Sequence, residues 1–132
     1  MRRKSAGLLT QAEWRIMKIV WELGEGTSRA IYEIAYERHR WASTTVKTML
    51  SNLVAKGLLQ TASDGNRFVY GPTKPAIKTL TMAADELMDR SVDKVKGQLL
   101  CYMVQKVNLT QADIDGLQSI IDEQRKQEKR SR

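Results

Sequence analysis

The sequence predicts a mostly α fold with one small β-hairpin: three helices and the hairpin first, then three more helices. Three observations predict it. Apolar residues recur at helical spacing through most of the chain. The period changes once, around Ser63-Asp64-Gly65-Asn66, where two short runs flank a turn. The only two prolines, Pro72 and Pro75, bracket the segment that follows, which reads as the boundary between two halves.

Each element has its own signal. Helix one starts at the capping box Thr10-Gln11-Ala12-Glu13, where the hydroxyl accepts from an early backbone N–H and Glu13 reaches back. Trp14, Met17 and Trp21 follow, widened by Ile16, Ile19, Val20 and Leu23 into a stripe that must be mostly buried. Gly24 and Gly26 end it. Thr27 or Ser28 caps helix two, whose narrow inner face is Ile31, Ile34 and Ala35 and which ends near His39-Arg40-Trp41. Ser43 is expected to cap helix three, with Val46, Leu50, Leu53 and Val54 facing the core. Gly57 supplies the left-handed residue after it, and Lys56 favours its dipole. The strands, 58–62 and 67–71, put Phe68 and Tyr70 on one face and Arg67 and Val69 on the other.

From Ala76 the chain reads as helix. One stripe is Ile77, Leu80, Ala84 and Leu87; a second is Val92, Val95, Leu99, Met103 and Val107. A third helix begins at Leu109-Thr110-Gln111-Ala112-Asp113 and shows Ile114, Leu117 and Ile121. The charged tail from Gln124 is expected to fray. The expected divisions are a flexible basic arm at 1–9, a first domain at 10–73, a helical domain at 74–127 and a charged tail at 128–132.

Composition narrows the function classes. The chain has 132 residues, 42% hydrophobic and 28% charged, as in ordinary soluble proteins. No window of eighteen apolar residues exists for a membrane span, and Met1-Arg2-Arg3-Lys4 has no apolar run behind it, so no signal peptide is expected. One cysteine, Cys101, excludes an internal disulfide, and with one histidine, His39, no structural zinc site is expected. A reducing cytoplasm is the expected compartment. No cofactor is predicted, and no nucleophile–base pair, phosphate loop or carboxylate cluster points to an enzyme.

The charge is one-sided. Residues 1–80 carry thirteen Lys/Arg against six Asp/Glu, and residues 81–132 carry nine of each. A basic half joined to a neutral half suggests a polyanion-binding module attached to something else.

Three helices and a hairpin within about sixty residues match a winged helix-turn-helix. Its third helix has no acidic residue from Ser43 to Lys56. Small hydroxyls let a helix sit close in a major groove, where threonine meets phosphates, base edges or a thymine methyl. The predicted DNA-binding residues are Ser43, Thr44, Thr45, Lys47, Thr48 and Ser51, with Arg67 just past the hairpin tip. For a lone helix a solvated polar face is the plainer reading; the hairpin and the charge asymmetry favour DNA. The competing class is a winged-helix protein-interaction adaptor, which would prefer a neutral or acidic third helix.

Some fifty residues in the second half offer apolar stripes but no self-contained core. A second copy is the simplest partner, which predicts a homodimer built on Leu99, Leu100, Met103, Val107, Ile114, Leu117 and Ile121. Two modules would then meet two half-sites of a pseudo-palindromic operator. The other arrangement is a monomer whose helices fold back on the first half. Cys101, beside Leu99, Leu100 and Met103, reads as a small hydrophobe, Trp14, Trp21 and Trp41 as packing residues, and His39 as structural or a phosphate contact.

The residues also carry a resemblance. Leu9-Thr10-Gln11-Ala12-Glu13-Trp14-Arg15-Ile16-Met17, Val20-Trp21, the run from Trp41 to Thr48, Lys56-Gly57, Asn66-Arg67-Phe68-Val69-Tyr70 and Leu109 to Ile114 together resemble the penicillinase-repressor (BlaI/MecI/CopY) family, from Leu9 to about Gln127. The resemblance implies a homodimeric winged-helix repressor on operator DNA, with Thr44, Thr45, Lys47 and Thr48 on the recognition helix, Arg67 on the wing and the C-terminal helices forming the dimer. It also brings two departures. The copper-responsive branch ends in a paired Cys-x-Cys, whereas this chain ends in Glu128-Lys129-Arg130-Ser131-Arg132. The β-lactam branch is cleaved at an Asn-Phe bond, where this chain has Tyr102-Met103. The partners implied are duplex operator DNA and a second copy, with no membrane and an inducing signal that these motifs do not specify.

Overall fold

A computed structural model describes residues 9–131. The expected basic arm, apart from Leu9, lies outside the described residues. The helices are α1 (Gln11–Leu23), α2 (Ser28–His39), α3 (Ser43–Ala55), α4 (Ala76–Arg90), α5 (Asp93–Lys106) and α6 (Gln111–Arg130). The strands are β1 (Gly26–Thr27), β2 (Leu59–Asp64) and β3 (Arg67–Pro72), in an antiparallel sheet ordered β1-β3-β2. The chain divides into two compact units, one ending at Asp89 and one beginning at Arg90.

The first unit is a winged helix-turn-helix, as expected. Thr10 and Glu13 form the full capping box, with the Glu13 N–H donating to Thr10 Oγ1 at 3.1 Å and the Thr10 N–H to Glu13 Oε1 at 2.9 Å. Gly24, at φ 83°, stops α1. Two residues later Thr27 caps α2 by accepting from the Ala30 N–H at 3.1 Å. Between them lies β1, which the sequence reading missed because two residues show no period. Its pairing of Gly26 with Tyr70 and of Thr27 with Val69 ties the base of the wing to the α1–α2 junction.

The core is Ile16, Met17, Ile19 and Val20 of α1, Ile31 and Ala35 of α2, and Val46, Met49, Leu50 and Leu53 of α3, closed by Leu58 and Leu59. Each large aliphatic here contributes about 1.5–3 kcal/mol through burial. Trp14, Trp21, Trp41 and Tyr70 pack against its rim, as expected for the tryptophans. Two expectations need correcting. Val54 is 38% exposed and Met49 takes its place, because a stripe at 46, 49, 50 and 53 keeps closer to one helix face. Leu23, the last residue of α1, is also exposed.

α3 ends in a Schellman motif: the Leu58 N–H donates to the Leu53 carbonyl and the Gly57 N–H to the Val54 carbonyl, both at 3.0 Å, with Gly57 at φ 80°. Lys56 does more than complement the dipole. Its Nζ lies 2.7 Å from Glu13 Oε1, joining the end of α3 to the start of α1. The hairpin closes on a two-residue turn, Gly65-Asn66, with Asp64 opposite Arg67. Gly65 takes the positive φ, 66°, that such turns need at a central position.

α4 follows the wing. Its expected stripe is exposed at Ile77, Leu80 and Leu87, and the residue it buries is Thr79.

The second unit holds α5 and α6. Thr110, at the start expected for α6, forms a full capping box with Asp113. α6 does not fray at Gln124 but runs to Arg130, aided by a Gln118–Asp122 side-chain bond and by Lys129 and Arg130 in its last turn. None of its residues is buried.

Candidate nucleic-acid interface

α3 turns its apolar stripe to the core and is therefore compelled to show the opposite face. Ser43, Thr44, Thr45, Lys47, Thr48 and Ser51 are all exposed, so the predicted set stands together on one accessible surface. At 3.6 residues per turn, Thr44, Thr48 and Ser51 lie farthest from the core, with Lys47 to one side. Thr48 Oγ1 donates back to the Thr44 carbonyl at 2.9 Å, which fixes its rotamer and leaves its oxygen as an acceptor.

Ser43 is not the cap. Ala42, extended at φ −70° and ψ 154°, holds that position without a side-chain bond, and Ser43 is the first helical residue. The reason is local: the chain leaves α2 through Arg40 in the left-handed region, φ 59°, and turns back so tightly that Ala42 falls at the helix entry. The Ser43 hydroxyl is thus spared from capping and stays on the surface.

Arg67 stands on the wing with its Nη2 3.7 Å from Asp64 Oδ2, both side chains 69% exposed. So exposed a pair contributes little, and Arg67 can exchange Asp64 for a phosphate at small cost. Phe68 beside it is also largely exposed.

Sequence reasoning missed several surface residues here. Asn52, exposed on α3 one turn past Thr48, has the amide that reads adenine bidentately. A helical wheel would have found it; attention to hydroxyls hid it. Ser28, Arg29 and Tyr32 of α2 face Ser43 and Lys47 of α3 across a small polar recess. No sequence signal marks that recess, because it exists only once the two helices pack.

His39 stacks on Trp41 at 4.6 Å between ring centroids. Burial, with the positive charges of Arg15 and Arg38, holds its imidazole below the usual 6.5. Among the described residues no three His, Cys, Asp or Glu side chains converge as metal ligands, and Cys101 is exposed rather than packed as a small hydrophobe.

In the second unit the predicted dimerisation residues split. Leu100, Met103, Val107, Ile114 and Ile121 are exposed, and Leu99 and Leu117 are half-buried. Met103, Val107, Leu117 and Ile120 line an open apolar groove between α5 and α6.

Comparison with known proteins agrees with this arrangement. The chain is 35% identical over 113 residues to an uncharacterised 16.5 kDa protein of Latilactobacillus sakei, covering 86% of this chain and 77% of that one. It is 22% identical over 121 residues to the penicillinase repressor of Bacillus licheniformis, covering 92% and 94%. Its fold matches the solution structure of the DNA-binding domain of the repressor BlaI with a TM-score of 0.51 and 26% identity, covering 58% of this chain and 90% of that one. The penicillinase repressor family model matches residues 9–123. The chain belongs to the penicillinase repressor family and is a DNA-binding transcriptional repressor, not an enzyme.

Proposed function

We propose that this repressor acts as a homodimer on a pseudo-palindromic operator, reading each half-site through α3 and the wing. The observation that carries the reading is the acid-free, exposed face of α3, on which all six contact residues predicted for that helix are accessible. Thr44, Thr48 and Ser51 lie against base edges, and Ser43, Thr45 and Arg67 bond the flanking backbone. Phosphate contacts supply most of the affinity, and the few base contacts choose the site.

The neutral 74–127 segment serves as the dimerisation domain. Support comes from the second unit, which exposes Val92, Leu100, Tyr102, Val107 and Ile120, each by more than half. Apolar surface of this extent on two helices calls for a partner. Pairing sets the spacing of two winged modules, so loss of the dimer weakens DNA binding as well. Among the described residues no helix is long and apolar enough to cross a membrane, and the reading places the protein in the cytoplasm with the DNA. An inducing signal relieves repression by acting on the dimer or on the winged units.

Footprinting on its own promoter tests this. The expected result is two protected half-sites about one helical turn or a multiple apart, with log affinity falling linearly in log salt. A single protected half-site would refute the dimeric operator, and salt-independent binding would favour an adaptor.

A further inference from the structure

We propose that the recess between α2 and α3 seats one backbone phosphate of the bound duplex, gripped by Arg29 and Lys47 together. Lys47 is then a backbone anchor and not a base reader. The proposal rests on the DNA-binding reading above and deepens it.

The recess is lined by Ser28, Arg29 and Tyr32 from α2 and by Ser43 and Lys47 from α3. Its lining holds two cations and three hydroxyls, and no carboxylate. Arg29 gives only Nε to Glu33, at 3.3 Å, in a pair whose side chains are 80% and 61% exposed. So open a pair is weak. Its two terminal nitrogens, and the Lys47 ammonium, have no protein partner among the described residues. Neither serine is used as a cap, because Thr27 and Ala42 hold those positions. Ser28 and Ser43 are the first residues of their helices and both line the recess, so the positive dipole ends of both helices border it. An anion with several acceptor oxygens satisfies all of these donors at once.

Place selects the source of that anion. The recess adjoins the exposed face of α3, and Lys47 lies on the flank of that face nearest α2. A duplex whose bases meet Thr44 and Ser51 runs its sugar-phosphate strand along this flank.

The test uses the full chain with Arg29→Ala, Lys47→Ala and the double variant, on the footprinted operator and on an unrelated duplex. Both positions are exposed, and melting curves check that the three variants fold. Each variant is expected to lose affinity equally on both duplexes and to lower the salt slope by about one per bound copy. The double variant should add little further slope, since both residues serve one phosphate. A methylphosphonate scan should find one phosphate per half-site whose neutralisation weakens the wild type but not Arg29→Ala. An unchanged salt slope overturns the proposal, as does a Lys47→Ala loss confined to the operator. Stabilisation of the wild type by inorganic phosphate with no effect of Arg29→Ala on DNA binding would mean a free-anion site, which also overturns it. If the wild type binds no duplex, the underlying reading fails instead.

Discussion

Replacing Lys56 by methionine strands a carboxylate. Glu13 is only 3% exposed, and its Oε1 takes both the Lys56 ammonium at 2.7 Å and the Thr10 N–H at 2.9 Å. Burial pushes the Glu13 carboxyl up; the Lys56 and Thr10 bonds outweigh it and hold the group below 4.5. Without the ammonium, burial is opposed by Thr10 alone and the carboxyl titrates higher. Removing one partner of a buried pair costs about 3–5 kcal/mol. Lys56 is 31% exposed and the Thr10 bonds survive, so the low end applies, about 3 kcal/mol at neutral pH. The reverse change, Glu13→Gln, should cost only about 1 kcal/mol, because the amide still accepts from Thr10 and the ammonium can turn to water. Adding Glu13→Gln to Lys56→Met should therefore recover much of the loss. The pH dependence follows the same logic. In the wild type the folded value is depressed, so the contribution is full above 4.5 and is lost as pH falls through the lower folded value. In Lys56→Met the folded value moves up from the wild-type one, so this contribution shrinks and the loss on acidification begins at higher pH. Urea unfolding at fixed protein concentration, from acid to neutral pH, measures all of this. A Lys56→Met protein as stable as the wild type, or less damaged than Glu13→Gln, would refute the reasoning.

Three other outcomes are expected. Thr44→Glu should abolish duplex binding in a gel shift while leaving the melting temperature within a few degrees, since Thr44 is exposed and a carboxylate set into the groove is repelled by the phosphates on either side. Ile121→Glu, on the exposed α6 stripe, should shift sedimentation from dimer to monomer and weaken operator binding without loss of helicity. For His39 the folded value lies below 6.5, so its contribution is full above 6.5 and declines as pH falls through the folded value; His39→Gln should flatten that decline in pH-dependent urea midpoints.

Much of the fold was written in local signals. Capping boxes at Thr10 and Thr110, the glycine after α3 and the turn at Gly65-Asn66 each specify a few residues by short-range chemistry, and they appear where the pattern put them. The errors have physical causes. Ser43 has the chemistry of a cap, yet the left-handed Arg40 moves the helix entry back to Ala42. β1 is created by its partner strand, and the α2–α3 recess by packing, so neither leaves a periodic trace. The polar face of α3 was legible because a core stripe on one side of a helix fixes what the other side must show.

The strand pairing of the wing has a mechanical result. Only Val69 and Tyr70 of β3 are held on both sides, by β1 and β2; from Ser63 to Phe68 the hairpin is a bare two-stranded ribbon. Such ribbons have little rigidity alone. The wing is thus a stiff shank with a compliant tip: Arg67 can follow minor grooves of differing width while the shank keeps α3 seated. On the proposed two-part operator, half-sites of unequal sequence could then be gripped by two copies of this chain without re-aiming the helix.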